Sequence, residues 1–301
     1  MKESEGGAIR LSCIHMRTIE SKDNPLYKML QGSATASFAR KHRLLTVEGI
    51  RHTADLARFG RLPDYLFFSD DEKGKKAMDL LLAQEGAFSG LLGEEQLILL
   101  EPRLFEKASL QKSPSGVMAM LEFRLPQLEE WLSEGEGKKR RKLLVLEEIQ
   151  DPGNVGTLIR TADAFNYDGV LLLEGTASVW NPKTGASAAG SIFHLPLLES
   201  EDTEKSLSLL KEAGFTLIAA DMEGESLAGF SWPEGDFALL LGNEGRGLTE
   251  CALGLADGRA AIPMGGRAES LNVASAGAIL MWAGFQGGSQ DTLDMESHDS
   301  V

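Results

Sequence analysis

Short apolar runs alternate with stretches of helical spacing along most of this chain. In the first part, Ser33 to His42 and Ile50 to Phe59 read as helices. Leu44 to Val47, Tyr65 to Phe68, Leu97 to Leu100 and Val117 to Leu121 are apolar runs of strand length. The pattern predicts a compact α/β domain over residues 24–125, preceded by a polar, unpatterned arm at 1–23. It then breaks at Pro126 and at the run from Glu134 to Arg141, where glycine and dense charge predict a linker over 126–142.

The second domain, 143–288, alternates more plainly. Strands are expected at Leu143 to Ile149, Val170 to Leu173, Phe193 to Leu198, Thr216 to Ala220, Phe237 to Leu241 and Arg259 to Pro263. Helices are expected at Val155 to Phe165, Thr203 to Ala213 and Leu271 to Phe285. Phe237 to Leu241 is wholly apolar, as in a central parallel strand covered on both faces. Such alternation implies a parallel sheet flanked by helices. The closing helix carries Ala274, Ala276, Gly277, Ala278, Ala283 and Gly284, small residues that predict close approach to a neighbour and burial. Residues 289–301 form an acidic tail expected to be disordered.

Composition adds limits. Cys13 and Cys251 stand far apart and suggest neither a metal site nor a disulfide framework, which fits a reducing compartment. No secretory pattern opens the chain and no apolar stretch has the length of a membrane span, so a soluble, cytoplasmic protein is expected. The net charge of −15 is unevenly distributed: residues 1–142 hold 23 Lys and Arg against 21 Asp and Glu, and residues 143–301 hold 7 against 24. Acidic surface of this kind is mainly solubilising. Yet Arg160, Arg246 and Arg267 lie in or beside three unusual loops and Lys183 on another, which suggests an anionic ligand there. The basic run of the linker could bind phosphate, although a solvated linker is the simpler reading.

The three loops are Asn154-Val155-Gly156 running into Arg160, Gly242-Asn243-Glu244-Gly245-Arg246-Gly247, and Ile262-Pro263-Met264 followed by Ser270-Leu271-Asn272. They sit at strand ends, where open α/β sheets bind ligands. The second has a phosphate loop's glycine spacing but Leu248-Thr249 in place of Lys and Ser/Thr, so a nucleotide-triphosphatase reading fails. No dinucleotide fingerprint follows the first strand of either domain, and the five histidines lack zinc spacing. What remains is a pocket of backbone N–H and C=O groups with two asparagines, a glutamate and an arginine, suited to an adenine ring and ribose. A plainer reading keeps Asn154 as a helix cap and Gly245 and Gly247 as a strand end. Arg160 resists it, being a lone cation in the helix of Leu158, Ile159, Ala162 and Phe165.

These segments resemble, in order, the three motifs of the SpoU/TrmH class of RNA ribose 2′-O-methyltransferases. The matches are Asp151-Pro152-Gly153-Asn154-Val155-Gly156 with Arg160 to Phe165, Gly242 to Gly245 with Gly247-Leu248, and Ile262-Pro263-Met264 with Glu269 to Val273. Gly153 departs from the bulkier polar residue common there. The first half resembles the class's L30e-like substrate-binding domain, through Arg40-Lys41-His42-Arg43 before Val47-Glu48-Gly49 and through Ser113 to Val117. The resemblance implies a deep trefoil knot in a SPOUT α/β domain, S-adenosylmethionine as cofactor, no metal, and a homodimer. It implies that Arg160 is the central catalytic residue, with Asn154, Glu244 and Asn272 organising pocket and ribose. Leu241, Gly242, Ile262, Met264, Ser270 and Leu271 would hold the cofactor, largely through backbone. Arg40, Lys41, Arg43, Arg51 and the linker cluster would bind RNA. Ribosomal RNA is the expected substrate, with transfer RNA and a non-catalytic assembly role as alternatives.

Overall fold

The computed structural model describes residues 16–83, 86–135, 137, 140–267 and 270–287. Most of the arm, the acidic tail, Lys138, Lys139 and Glu269 lie outside the described residues. The chain divides into two compact units. One runs to Arg124 and also takes in Ser178–His194; the other holds Leu125–Ala177 and the chain from Leu195. Contacts thus group Ser178–His194 with the first unit, whereas the sequence pattern assigned it to the second domain.

The first unit contains β1 (Arg17–Ile19), α1 (Pro25–Gly32), α2 (Ala36–His42), β2 (Leu44–Glu48), α3 (Ile50–Arg58), β3 (Tyr65–Ser69), α4 (Glu72–Leu82), β4 (Leu97–Leu100), α5 (Pro102–Ala108) and β5 (Val117–Glu122). The single helix expected from Ser33 to His42 begins only at Ala36. Its first residues belong to the turn after α1, which Asn24 caps and Pro25 opens. The sheet runs β1-β4-β3-β5-β2, with β5 antiparallel to both neighbours. Phe67, Ile98, Met118 and Met120 fill one core with Tyr27 and Phe105 from the helices.

The chain continues through α6 (Leu128–Glu134), β6 (Lys142–Leu146), α7 (Pro152–Ala164) and β7 (Gly169–Leu172). Next come α8 (Pro182–Ala188) and α9 (Ser191–His194), which belong to the first unit. There Phe193 and Trp180 meet Phe123 edge-on, and His194 stacks on Phe59. Lys183, expected on a loop, lies in α8. The strand expected at Phe193 to Leu198 is the end of α9 followed by a later, shorter strand.

The second unit resumes with β8 (Leu197–Glu199), α10 (Thr203–Glu212), β9 (Thr216–Ser226), β10 (Phe237–Leu241), α11 (Glu250–Leu255), β11 (Gly258–Ala261) and α12 (Val273–Gln286). Its sheet, β11-β9-β10-β6-β7-β8, is parallel throughout. Every residue of β6 and β10 is buried, as strands covered on both faces require.

Two expectations about this unit need correction. The linker contains α6, whose Leu128 and Trp131 join the core with Phe215 and Leu217. Leu128, Trp131 and Leu132 are spaced as one helical face, and burying that face outweighs the charge that follows it. The closing helix is buried on one face only. Gly277 is pressed so closely on Leu158 of α7 and Leu241 of β10 that an added Cβ would collide with them, yet Ile279 and Trp282 are 39% and 52% exposed.

Candidate active site

Each of the three loops follows a strand of the parallel sheet, β6, β10 or β11, and local capping fixes the course of the first and third. Asp151 caps α7, its Oδ1 accepting from the N–H of Gly153 at 2.6 Å and of Asn154 at 3.1 Å. Pro152 occupies the first helical position, where a missing N–H costs nothing. The cap is therefore Asp151, which frees the Asn154 side chain. Its Nδ2 donates to Glu244 Oε1 at 3.1 Å, and its Oδ1 accepts from Asn272 Nδ2 at 3.2 Å. Asn272 also caps α12, accepting from the N–H of Ala274 and Ser275. One chain of amides and a carboxylate thus joins all three loops.

The Gly242–Gly247 turn is built to stay in place. Asn243 Oδ1 accepts from the N–H of Gly245 and Arg246, and Asn243 and Gly247 exchange backbone hydrogen bonds. Gly247 holds φ 72°, and a Cβ on Gly242 would strike the backbone of Gly247 and Leu248. Two carboxylates absent from the sequence reading tie this turn to the end of β6. Glu147, 2% exposed, accepts from Thr249 N–H and Oγ1, both at 2.8 Å. Glu148 receives Arg246 at 2.8 Å through its carboxylate and Asn243 Nδ2 at 3.0 Å through its carbonyl. The signal was present in the sequence: two adjacent acids end an otherwise apolar strand.

The remaining site residues differ in setting. Leu241 is buried at the end of β10, Ile262 is half-buried, and Ser270 is exposed. Met264 and Leu271 are 41% and 40% exposed, an unusual display of apolar surface on one loop. Arg160 is exposed on α7 and makes no hydrogen bond or ion pair among the described residues. Arg246 is occupied by Glu148, so it is not a loose cation. In the first unit Arg40, Lys41, Arg43 and Arg51 are all exposed. No group of three or more possible metal ligands occurs among the described residues. No helix among them is long and apolar enough to cross a membrane.

A model of the SpoU rRNA methylase family matches residues 141–282, the stretch that carries all three loops. An uncharacterized tRNA/rRNA methyltransferase of Synechocystis is 31% identical over 271 residues, 88% of this chain and 92% of that protein. The chain belongs to the SpoU family. A 23S rRNA (guanosine(2553)-2′-O)-methyltransferase of Bacillus subtilis, RlmP, is 41% identical over 142 residues. That match covers 47% of this SpoU chain and 57% of the Bacillus protein. The fold also matches a crystal structure of an AdoMet-bound rRNA methyltransferase from Sinorhizobium meliloti. There the TM-score is 0.74 and the identity 24%, over 90% of this chain and 98% of that one.

Proposed function

We propose that this SpoU protein transfers the methyl group of S-adenosylmethionine to a ribose 2′-hydroxyl of RNA, with ribosomal RNA as the substrate. The carrying observation is the Asn272–Asn154–Glu244 chain, which holds three loops together although 90 and 118 residues separate the bonded partners. The Bacillus relative, named for ribose methylation of 23S rRNA, supports the choice of acceptor and of RNA.

The residues suit the cofactor. The Gly242–Gly247 turn is fixed in place by its own hydrogen bonds, and Met264 and Leu271 offer apolar surface to an adenine ring. Leu241, Gly242, Ile262, Met264, Ser270 and Leu271 hold it. When bound, it supplies a methyl group on a sulfonium, which departs as a neutral thioether and needs neither proton nor metal.

The protein's task is then positioning and disposal of the hydroxyl proton. A guanidinium is effectively never deprotonated, so Arg160 binds an RNA phosphate and aims the hydroxyl, whose proton passes to solvent water as the oxygen attacks. Asn154, Glu244 and Asn272 fix the ribose. The same reading includes the trefoil knot, the L30e-like domain of residues 24–125 and a cytoplasmic site of action. It also includes a homodimer, for which the exposed Ile279 and Trp282 of α12 provide an apolar face. Sedimentation should show a dimer that Trp282→Glu converts to monomer; a wild-type monomer ends that part of the reading.

The deciding experiment incubates the protein with labelled S-adenosylmethionine and unmodified ribosomal or transfer RNA, then digests the RNA to nucleosides. Label in a 2′-O-methyl nucleoside from ribosomal RNA is expected. Label on a base refutes ribose chemistry, and label only from transfer RNA refutes the substrate.

A further inference from the structure

The first unit holds a cavity of about 220 Å³ that the proposed transfer does not use. Its walls are the end of β2, His52 of α3, Leu110 and Gln111 of the following loop, α8, and Phe193. Glu48 organises it. This carboxylate is 3% exposed and accepts from Ser109 Oγ at 2.8 and 2.9 Å, Leu110 N–H at 2.6 Å and Ser115 N–H at 3.4 Å. Those three donors, the Ser109 hydroxyl shared between both oxygens, fasten the 109–115 loop to β2, so Glu48 shapes the cavity rather than meeting a ligand.

The Glu48 carbonyl fixes two more side chains. His52 Nδ1 lies 3.1 Å from that oxygen and Gln111 Nε2 lies 3.3 Å from it. A carbonyl only accepts, so both nitrogens donate. In the neutral ring His52 Nε2 is then an acceptor, and Gln111 keeps Oε1 as a second. Val47, Leu110, Ala186 and Phe193 contribute apolar wall. Ala189, also in the lining, holds φ 51° and ψ −139°, a conformation rare for a residue with a Cβ. Such backbone persists where its surroundings over-determine it.

An acceptor-bearing edge between apolar walls suits a flat heteroaromatic ring that presents N–H donors. Arg51 adjoins His52 in sequence, and Arg40, Lys41 and Arg43 immediately precede β2, all exposed in the same unit. They supply cations for a backbone attached to such a ring. We propose that this cavity receives one unstacked RNA nucleobase carrying an exocyclic amino group, in preference to uracil. It would read sequence at a nucleotide other than the one methylated. Single-stranded RNA is commonly read in this way, base by base. The inference rests on the proposal that the protein acts on RNA.

The test is equilibrium binding of the full chain to the RNA hexamers A6, C6 and U6. A6 or C6 should bind more tightly than U6. Ala186→Leu, at an exposed helical position that folding tolerates, fills the cavity and should weaken the tighter complex about tenfold. His52→Ala should erase the preference. Equal affinity for all three hexamers, no measurable binding, or unaltered affinity in Ala186→Leu overturns the proposal. Methyl transfer is measured on the same preparations, so failure of the enzymatic reading shows separately, as absent transfer by a wild type whose binding is intact.

Discussion

Two sets of basic residues have opposite fates. Arg40, Lys41, Arg43 and Arg51 of the first unit are exposed. Arg140, Arg141 and Lys142, at the entrance to β6, are turned into the second unit. Arg141 donates to Asp236 through Nε and through its backbone N–H, both at 2.6 Å, and its guanidinium lies 4.7 Å from the Phe215 ring centroid. Arg140 donates to the carbonyls of Pro233 and Gly284, Lys142 to that of Phe165, so each ends a helix or loop by satisfying an orphan acceptor. Charge density therefore does not distinguish a cation that holds the fold from one that meets a ligand; burial does. Arg140 and Arg141 are thus turned away from the linker cluster expected from the sequence to bind RNA, whose Lys138 and Lys139 lie outside the described residues.

That difference is sharpest when stability and activity are measured on the same variants. Arg160→Ala, the extreme case of an outward cation, should lose about 10³-fold in methyl transfer. Cofactor affinity and unfolding midpoint should stay near wild type. Near-native turnover with normal cofactor binding would remove Arg160 from the mechanism. Arg141→Ala should behave in the opposite sense. Leaving the half-buried Asp236 with only the backbone N–H of residue 141 should cost about 1–3 kcal/mol in urea unfolding. An unaltered midpoint would show that the pair is not holding the starts of β6 and β10 together.

Much of this could be read in advance where the determinants are local. β10 was delimited residue for residue, because an apolar run of that length between turn residues has few alternatives. The three loops were legible from their glycines and amides. What joins them was not, since Asn154 meets Glu244 and Asn272 only across the fold, and capping by Asn154 was an equally good local reading until Asp151 proved to be the cap. The strand expected through Phe193 failed because a short apolar run fits a buried helix as well as a strand. The fates of Arg140 and Lys142 were hidden for a different reason. Their partners are backbone carbonyls, and every residue type supplies those.

Neutralising the outward set tests the other half of the contrast. Changing Arg40, Lys41, Arg43 and Arg51 together to Gln should leave stability within about 0.5 kcal/mol, as surface changes usually do. If each contacts one phosphate of a single strand, the slope of log affinity against log salt should fall by roughly 3. An unchanged slope would move RNA binding away from α2 and α3.

The smallest effect concerns Lys142, where burial pushes the ammonium below the ordinary lysine range, partly countered by Asp168 and deepened by Arg140. A lysine whose pKa is lower folded than unfolded binds fewer protons in the native state. Stability then rises with pH between the lowered native value and the ordinary value of about 10.4, the reverse of a paired surface lysine. The neutral amine can still donate to the Phe165 carbonyl, so deprotonation removes the desolvation cost and keeps the contact. Lys142→Met lacks both the titration and the bond. In urea unfolding across that alkaline interval, the wild type should gain on Lys142→Met as pH increases. A constant difference would mean that Lys142 reaches water when charged, and would place it with the outward cations after all.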